Sequence, residues 1–221
     1  MNIEQARYNM IEQQIRPWDV LDPAVLSLLW TVKREQFVPL ACQALSFVDT
    51  EVPLREISGG AECMLSPKVE ARLLQELALL KHESVLEIGT GSGHMACLMG
   101  HKAQQVHTLE TNPALVEFAR GNLQRSHSVN VTVHALSGAE GYSEEAPFDA
   151  ILLSGSVAAV PASVLAQLKL GGRLVAVVGQ LPIMRAVLMR RTTEQDFHTE
   201  VLFDTVAPRL NGFNEPSQFK F

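Results

Sequence analysis

The sequence predicts an α/β protein: a mostly parallel sheet with helices on both faces, an antiparallel strand pair near the C-terminus, and a helical extension at the N-terminus. Three observations predict it. Val85-Leu86-Glu87-Ile88 is a short apolar run that enters Gly89-Thr90-Gly91-Ser92-Gly93 and then an apolar segment from Met95 to Met99, which reads as strand, tight turn and helix. A second short run, Val106-His107-Thr108-Leu109, ends at Glu110, about 20 residues past the glycine turn, and closes a βαβ unit. Ala186 to Arg190 and Glu200 to Asp204 flank the polar stretch Thr192-Thr193-Glu194-Gln195-Asp196, a hairpin signal.

The βαβ unit points to a nucleoside. Glycines permit positive φ and close backbone approach, the next helix presents free N–H groups, and a carboxylate at the second strand's tip can accept both ribose hydroxyls. A dinucleotide site wants G-x-G-x-x-G. Here the spacing is Gly89-x-Gly91-x-Gly93 and the last slot holds His94, whose bulk argues against a pyrophosphate and so against NAD. With Glu87 two residues before the first glycine, the stretch E-x-G-x-G-x-G resembles motif I of the class I S-adenosylmethionine (SAM) methyltransferases. The resemblance implies a Rossmann-like methyltransferase sheet with SAM as cofactor. It implies that Glu87 helps place the methionine part, that Gly89, Thr90, Gly91 and Gly93 form the turn, and that Glu110 holds the ribose.

At 221 residues the chain is expected to form one domain, 1–221, with residues 1–80 as a helical extension and substrate-covering loop and 81–221 as the SAM-binding core. A net charge of −6 supplies no global attraction to nucleic acid or anionic membrane. No apolar run approaches the roughly 18 residues of a membrane span, and the polar start Met1-Asn2-Ile3-Glu4-Gln5 is unlike a secretory signal. Cys42, Cys63 and Cys97 lack metal-type spacing and read as reduced thiols of a cytoplasmic protein, Cys97 as core. Nothing in the sequence signals an oligomeric state.

Taken in order, residues 3–15 carry two apolar stripes, Ile3-Ala6-Met10 and Tyr8-Ile11-Ile15, and a helix with two such sides is expected to bury both. Arg16-Pro17 ends it. Asp22-Pro23 caps a helix bearing Val25, Leu26, Leu28, Leu29 and Val32, and Trp18 and Trp30 read as packing residues. Val69, Leu73, Leu74 and Leu77 mark a helix after Ser66-Pro67. Pro113 starts another, with Leu115, Val116, Phe118 and Ala119. Val129 to Val133, Asp149 to Ser154 and Leu174 to Val178 read as further strands, with a helix from Ala162 to Leu168 between the last two. The tail from Ala207 has aromatic anchors and is expected to pack back on the body.

Met10-Ile11-Glu12-Gln13-Gln14-Ile15, Val20-Leu21-Asp22, Lys33-Arg34-Glu35-Gln36-Phe37-Val38-Pro39 and Asp49-Thr50-Glu51-Val52-Pro53-Leu54, together with motif I, Ala146-Pro147-Phe148-Asp149-Ala150-Ile151 and Gln167-Leu168-Lys169-Leu170-Gly171-Gly172-Arg173-Leu174, resemble the protein-L-isoaspartate O-methyltransferases up to about Gly179. The resemblance implies methyl transfer from SAM to the α-carboxyl of L-isoaspartyl residues in damaged proteins. The ester then closes to a succinimide that reopens partly as aspartate. The implied partner is an isoaspartate-bearing protein or peptide.

Three stretches depart from that family. A family segment like Gln-Thr-Ile-Ser-x-Pro places a serine beside the acceptor carboxyl. The loop here is Ser58-Gly59-Gly60-Ala61-Glu62-Cys63-Met64-Leu65-Ser66-Pro67, so Glu62 replaces the glutamine, Cys63 the threonine and Leu65 the serine, with Ser66 one place late. Ser66 has an ordinary reading as a helix N-cap and a functional one as the group facing the substrate. A Gly-Asp-Gly whose aspartate takes the adenine amino group is Leu136-Ser137-Gly138, leaving Ser137 as the acceptor. Thr-Ala-Ala is Ser154-Gly155-Ser156, at a strand's carboxyl end where ligands bind. That makes Ser154 and Ser156 acceptor-pocket candidates, and Ser156 alternatively a cap for the next helix.

Methylating a carboxylate needs alignment and exclusion of water but no general base. The absence of an evident His–carboxylate pair fits that better than an alcohol or amine acceptor; His94 is the one candidate base. Other readings stay open: a SAM enzyme with another acceptor, a non-catalytic SAM-binding protein, and an NAD-linked oxidoreductase.

Overall fold

In the computed structural model, residues 2–57 and 60–214 are described. Helix α1 (Ile3–Asn9), capped by the Asn2 side chain on the Gln5 N–H, continues without a break into a π-helical stretch, Met10–Ile15. There the Arg16 N–H bonds to the Ile11 carbonyl, five residues back. The wider turn changes the two-stripe expectation. Met10, Ile11 and Ile15 are buried together, whereas Ile3 and Tyr8, the first member of each stripe, are each 47% exposed. Helix α2 (Pro23–Thr31) starts as expected, with the Asp22 carboxylate accepting the Ala24 N–H. Trp18 and Trp30 stay partly exposed. The first lies under the Lys68 ammonium and the second beside Tyr8.

The expected covering loop is a separate antiparallel hairpin, β1 (Val52–Ile57) and β2 (Gly60–Met64), with buried Val52 and Met64 paired at its base. Its turn residues Ser58 and Gly59 lie outside the described residues. Helix α3 (Pro67–Leu77) follows and buries Val69, Leu73, Leu74 and Leu77.

The main sheet holds β3 (Ser84–Ile88), β4 (Gln105–Leu109), β5 (Val131–His134), β6 (Phe148–Val157), β7 (Leu168–Gln180), β8 (Ile183–Arg191) and β9 (Phe197–Thr205), in the order β5-β4-β3-β6-β7-β8-β9. The five strands from β5 to β7 run parallel, and β8 and β9 pair antiparallel. The strand order reverses between β3 and β6. Right-handed crossovers on either side of such a point place their helices on opposite faces. Accordingly α4 (His94–Lys102) and α5 (Pro113–Arg125) share one apolar cluster with α2 and α3, while α6 (Ala162–Leu165) packs in the other. The helix expected from Ala162 to Leu168 is only this one turn, because Leu168 already pairs with Phe148 as the start of β7.

Two buried ion networks fasten the N-terminal elements, one to the sheet and one to α4. The last carbonyls of α3 have no helical partner. Arg173 on β7 donates to Leu77 O and Ala78 O and pairs bidentately with Glu83 at 2.7 and 2.8 Å. Arg34 pairs with Glu70 on α3 and donates to Leu65 O at 2.7 Å, and Glu70 also meets His94 Nδ1 at 3.1 Å. Among the described residues no helix is long and apolar enough to cross a membrane.

Candidate active site

The site forms where the strand order reverses, at the carboxyl ends of β3, β4 and β6. Gly89, Gly91 and Gly93 have φ of +96°, +53° and +81°, values that L side chains rarely adopt. Gly89 N–H and Thr90 N–H both bond to Leu109 O, at 2.9 and 3.2 Å, which ties the turn to the tip of β4. The Glu110 carboxylate leaves that tip and is nearly buried. One oxygen accepts the Gly91 N–H at 3.0 Å and the other the Asn112 N–H at 2.9 Å, so its two oxygens are held in a fixed plane.

Glu87 is fully buried behind the turn. Its register neighbours are Thr108 and Leu152, and its carboxylate accepts hydroxyl hydrogens from Thr108 and Ser154, both at 2.6 Å. Thr108 is in turn 2.6 Å from the Thr90 hydroxyl. Burial pushes the Glu87 carboxyl up to about 8, the nearby charges of Glu70 and Glu110 push the same way, and the two hydroxyls only partly oppose them.

A cavity of about 640 Å³ runs along these strand ends, inside the roughly 300–1,000 Å³ range of small-molecule sites. Gly89, Gly91, Glu110 and Ser154 line it, as do Ile88, Leu109, Leu115 and Gly138 on the β4–β5 side. The β1–β2 hairpin roofs it. Leu54 sits over the turn so closely that a Cβ on Gly91 would meet its Cδ1 at 3.2 Å. Glu62 accepts from Asn112 Nδ2 at 2.6 Å and from Asn211 Nδ2 at 3.2 Å, clasping the hairpin to both the β4 tip and the C-terminal segment. That segment also lines the cavity, with Ala207, Pro208, Arg209, Leu210, Asn211 and Phe213.

Several residues singled out in the sequence stand elsewhere. Gly93 faces away from the cavity, and a Cβ there would meet Leu123 Cγ at 3.3 Å and Ala119 at 3.4 Å, so its small size serves the packing of α4 on α5. Leu65 is buried in the main core and is not on the cavity wall. Ser66 occupies the N-cap of α3 with extended backbone, but its hydroxyl makes no cap hydrogen bond, and it too is off the cavity wall. Ser137 is exposed beside Gly138 of the wall, its hydroxyl taking the Ala139 N–H at 3.4 Å. Ser156 is buried; its hydroxyl donates to Ala207 O at 2.8 Å and Pro208 O at 3.2 Å, and α6 is capped at Pro161 instead. His94 is buried against Glu70 and Phe37 and does not line the cavity, so it is not placed as a base. Leu54 was not singled out in the sequence, Glu62 was read only as a replacement for a family glutamine, and the tail from Ala207 was expected to pack on the body but not to line the cavity. Their partners lie up to 149 residues away along the chain.

No histidine, lysine or tyrosine is among the described residues lining the cavity. Its backbone-held Glu110 carboxylate, half-buried Gly89 and Gly91 and apolar walls suit a nucleoside without phosphates.

Comparison with known proteins agrees with this geometry. A relative from Syntrophobacter fumaroxidans, called protein-L-isoaspartate O-methyltransferase 1, is 35% identical over 91% of this chain and 92% of its own. One from Pelobacter propionicus, called protein-L-isoaspartate O-methyltransferase 2, is 37% identical over 91% and 88%. A solved protein-L-isoaspartate O-methyltransferase shares the fold with a TM-score of 0.78 and 23% identity, covering 95% of this chain and 66% of that one. A Plasmodium falciparum structure under the same enzyme name, in complex with S-adenosyl-L-homocysteine, has a TM-score of 0.74 and 21% identity over 96% and 99%. The family profile described as protein-L-isoaspartate(D-aspartate) O-methyltransferase matches residues 5–208. The chain thus belongs to the protein-L-isoaspartate(D-aspartate) O-methyltransferase family and is a SAM-dependent methyltransferase of class I fold.

Proposed function

We propose that this protein methylates the free carboxyl of L-isoaspartyl residues in damaged proteins, with SAM as donor. The observation that carries the reading is the coincidence of the family match over residues 5–208 with a cavity that has a carboxylate at the β4 tip, Gly89 and Gly91 of the turn, and no histidine, lysine or tyrosine on its described wall. Glu110 would take the ribose hydroxyls, since each of its oxygens keeps a lone pair beyond the backbone N–H it accepts. Gly89 and Gly91 let the ligand lie on the backbone. Ile88, Leu109 and Leu115 offer apolar surface to the adenine, next to Gly138 and Ser137. Glu87 reaches the methionine end through the Ser154 hydroxyl. The cofactor supplies an electrophilic methyl on a sulfonium.

The chain's own task is placement. A carboxylate oxygen forms its bond to the methyl carbon as the sulfur–carbon bond breaks, giving a methyl ester and S-adenosylhomocysteine, with no proton to remove. The clasp of Glu62 holds the roof and keeps water out. The setting is the cytoplasm, where free Cys42, Cys63 and Cys97 stay reduced.

One observation favours a second reading, transfer to a different acceptor. Leu65, in the place of the family serine, points into the core, so no hydroxyl stands at that place. Labelled methyl from SAM should appear as a base-labile ester on an isoaspartyl peptide. A base-stable product on another acceptor supports the second reading, and S-adenosylhomocysteine binding without any transfer contradicts both.

A further inference from the structure

The roof of the cavity carries a carboxylate that neither the cofactor nor the scaffold uses. Glu51, the residue before β1, is half-buried and lines the cavity. The other acidic residues on the described wall are engaged. Glu62 accepts from Asn112 and Asn211, and Glu110 from the Gly91 and Asn112 N–H groups. Nearby Asp49 pairs with Lys68 at 2.7 Å. Among the described residues no hydrogen bond or ion pair reaches Glu51, and burial alone raises its carboxyl, with no donor or cation opposing it. Arg209, the one base on the described wall, donates to Gly179 O at 3.0 Å.

The hairpin register says which part of the ligand Glu51 meets. Val52 faces Met64 at the base of the hairpin, and the next opposed positions of that antiparallel ladder are Glu51 and Leu65. Leu65 holds the place of the family serine that stands beside the acceptor carboxyl. Glu62, farther along β2, is clasped instead to Asn112, beside Glu110 at the tip of β4. Glu51 therefore belongs to the acceptor end of the roof and Glu62 to the ribose end.

A peptide that fills the acceptor end displaces the water left on Glu51. An ionised carboxylate stripped of water is costly when unpaired, and the cost is offset when a cation meets it. The acceptor carboxyl is itself an anion, so a cation on the adjoining residue also weakens its repulsion by Glu51.

We propose that Glu51 selects isoaspartyl sites flanked by a basic residue, by pairing with the ammonium or guanidinium next to the isoaspartyl residue. The inference rests on the isoaspartyl reading above and adds the sequence context on which the enzyme acts. The pair forms on binding and is unchanged as the methyl moves, so its loss raises KM more than it lowers kcat.

The test uses the full-length protein with SAM and isoaspartyl peptides of one sequence, in which both neighbours of the isoaspartyl residue are lysine, norleucine or glutamate. A fourth peptide carries norleucine neighbours and the same lysines at its ends. In the wild type the adjacent-lysine peptide should have a KM roughly fivefold or more below the norleucine and end-lysine peptides, and roughly tenfold or more below the glutamate peptide. In Glu51→Gln the gap between adjacent lysine and norleucine should shrink to about twofold or less. Equal KM values for adjacent and end lysines in the wild type overturn the inference, and this comparison decides even if Glu51→Gln fails to fold. A lysine preference that survives whole in Glu51→Gln assigns it to the net charge of −6 and overturns the inference as well. So does a loss of S-adenosylhomocysteine affinity in Glu51→Gln with the peptide preference kept, which assigns Glu51 to the cofactor's ammonium. A wild type that transfers no methyl to any of the four peptides overturns the isoaspartyl reading and the inference with it.

Discussion

Cofactor binding should expel a proton from Glu87. Burial holds this carboxyl at about 8 in the protein alone, so at pH 7 roughly nine-tenths of the molecules carry it neutral. The amino-acid end of the cofactor bears an ammonium, and an opposite charge within about 4–6 Å lowers a carboxyl by roughly 1–3 pH units. Linkage then requires release of roughly 0.4–0.9 proton per site at pH 7 and almost none at pH 9, with affinity for S-adenosylhomocysteine falling roughly eight- to eighty-fold from pH 9 to pH 6. Calorimetry in buffers of different ionisation enthalpy counts the protons. Glu87→Gln is the control, since the ligand's own amine titrates alike in both proteins. The same pKa sets the stability profile of the free protein. A carboxyl raised from 4.5 to about 8 makes the native state bind more protons across that window. Stability therefore falls as pH rises from about 4.5 to 8 and levels off beyond, by a ceiling of about 5 kcal/mol at about 1.4 kcal/mol per unit. Glu87→Gln should abolish that slope. Equal proton counts and parallel pH profiles in the two proteins would refute the argument that Glu87 is held neutral and coupled to the ligand.

Other substitutions read other parts of the site. Glu110→Ala should weaken S-adenosylhomocysteine binding by roughly 1–3 kcal/mol in a calorimetric titration, because it removes a charged acceptor and also frees the Gly91 and Asn112 N–H groups. Gly91→Val should abolish binding in the same titration, since its φ of +53° and the 3.2 Å approach of Leu54 leave no relaxed place for a branched side chain. Glu62→Ala should speed S-adenosylhomocysteine release roughly three- to tenfold in stopped flow, the worth of about 1 kcal/mol in clasping hydrogen bonds. Arg173→Met should cost roughly 3–5 kcal/mol in denaturant unfolding by leaving Glu83 buried and unpaired. Burial raises the Glu83 carboxyl, but the Arg173 and Leu80 N–H hydrogen bonds outweigh it and leave the group below its ordinary value, so this part of the wild-type stability is present above about pH 4.5 and is lost as pH falls through the lowered value.

What was legible in the sequence was local. The β3–turn–α4–β4 unit could be read because strand, glycines and helix are contiguous, and Glu110 because its distance from the turn is set by one crossover. The β8–β9 hairpin could be read from its turn chemistry. Contacts between distant segments were not legible. Ser156 looked like a pocket residue or a cap because the carbonyls it holds lie 51 and 52 residues away. Leu65 and Ser66 were placed by alignment with a proline, which says nothing of the direction in which a side chain points. Gly93 matched a ligand motif, yet its size answers to α5. The Arg34–Glu70–His94 network joins three elements with no shared pattern, and the π-helical stretch moved Tyr8 away from the buried side that a regular helix would give it.

The most direct test of the central claim is the rate of methyl transfer from labelled SAM to an isoaspartyl peptide beside its aspartyl twin, with SAM binding measured on the same sample. The account predicts SAM binding and transfer to the isoaspartyl peptide alone. SAM binding with equal transfer to both peptides, or to neither, would contradict it.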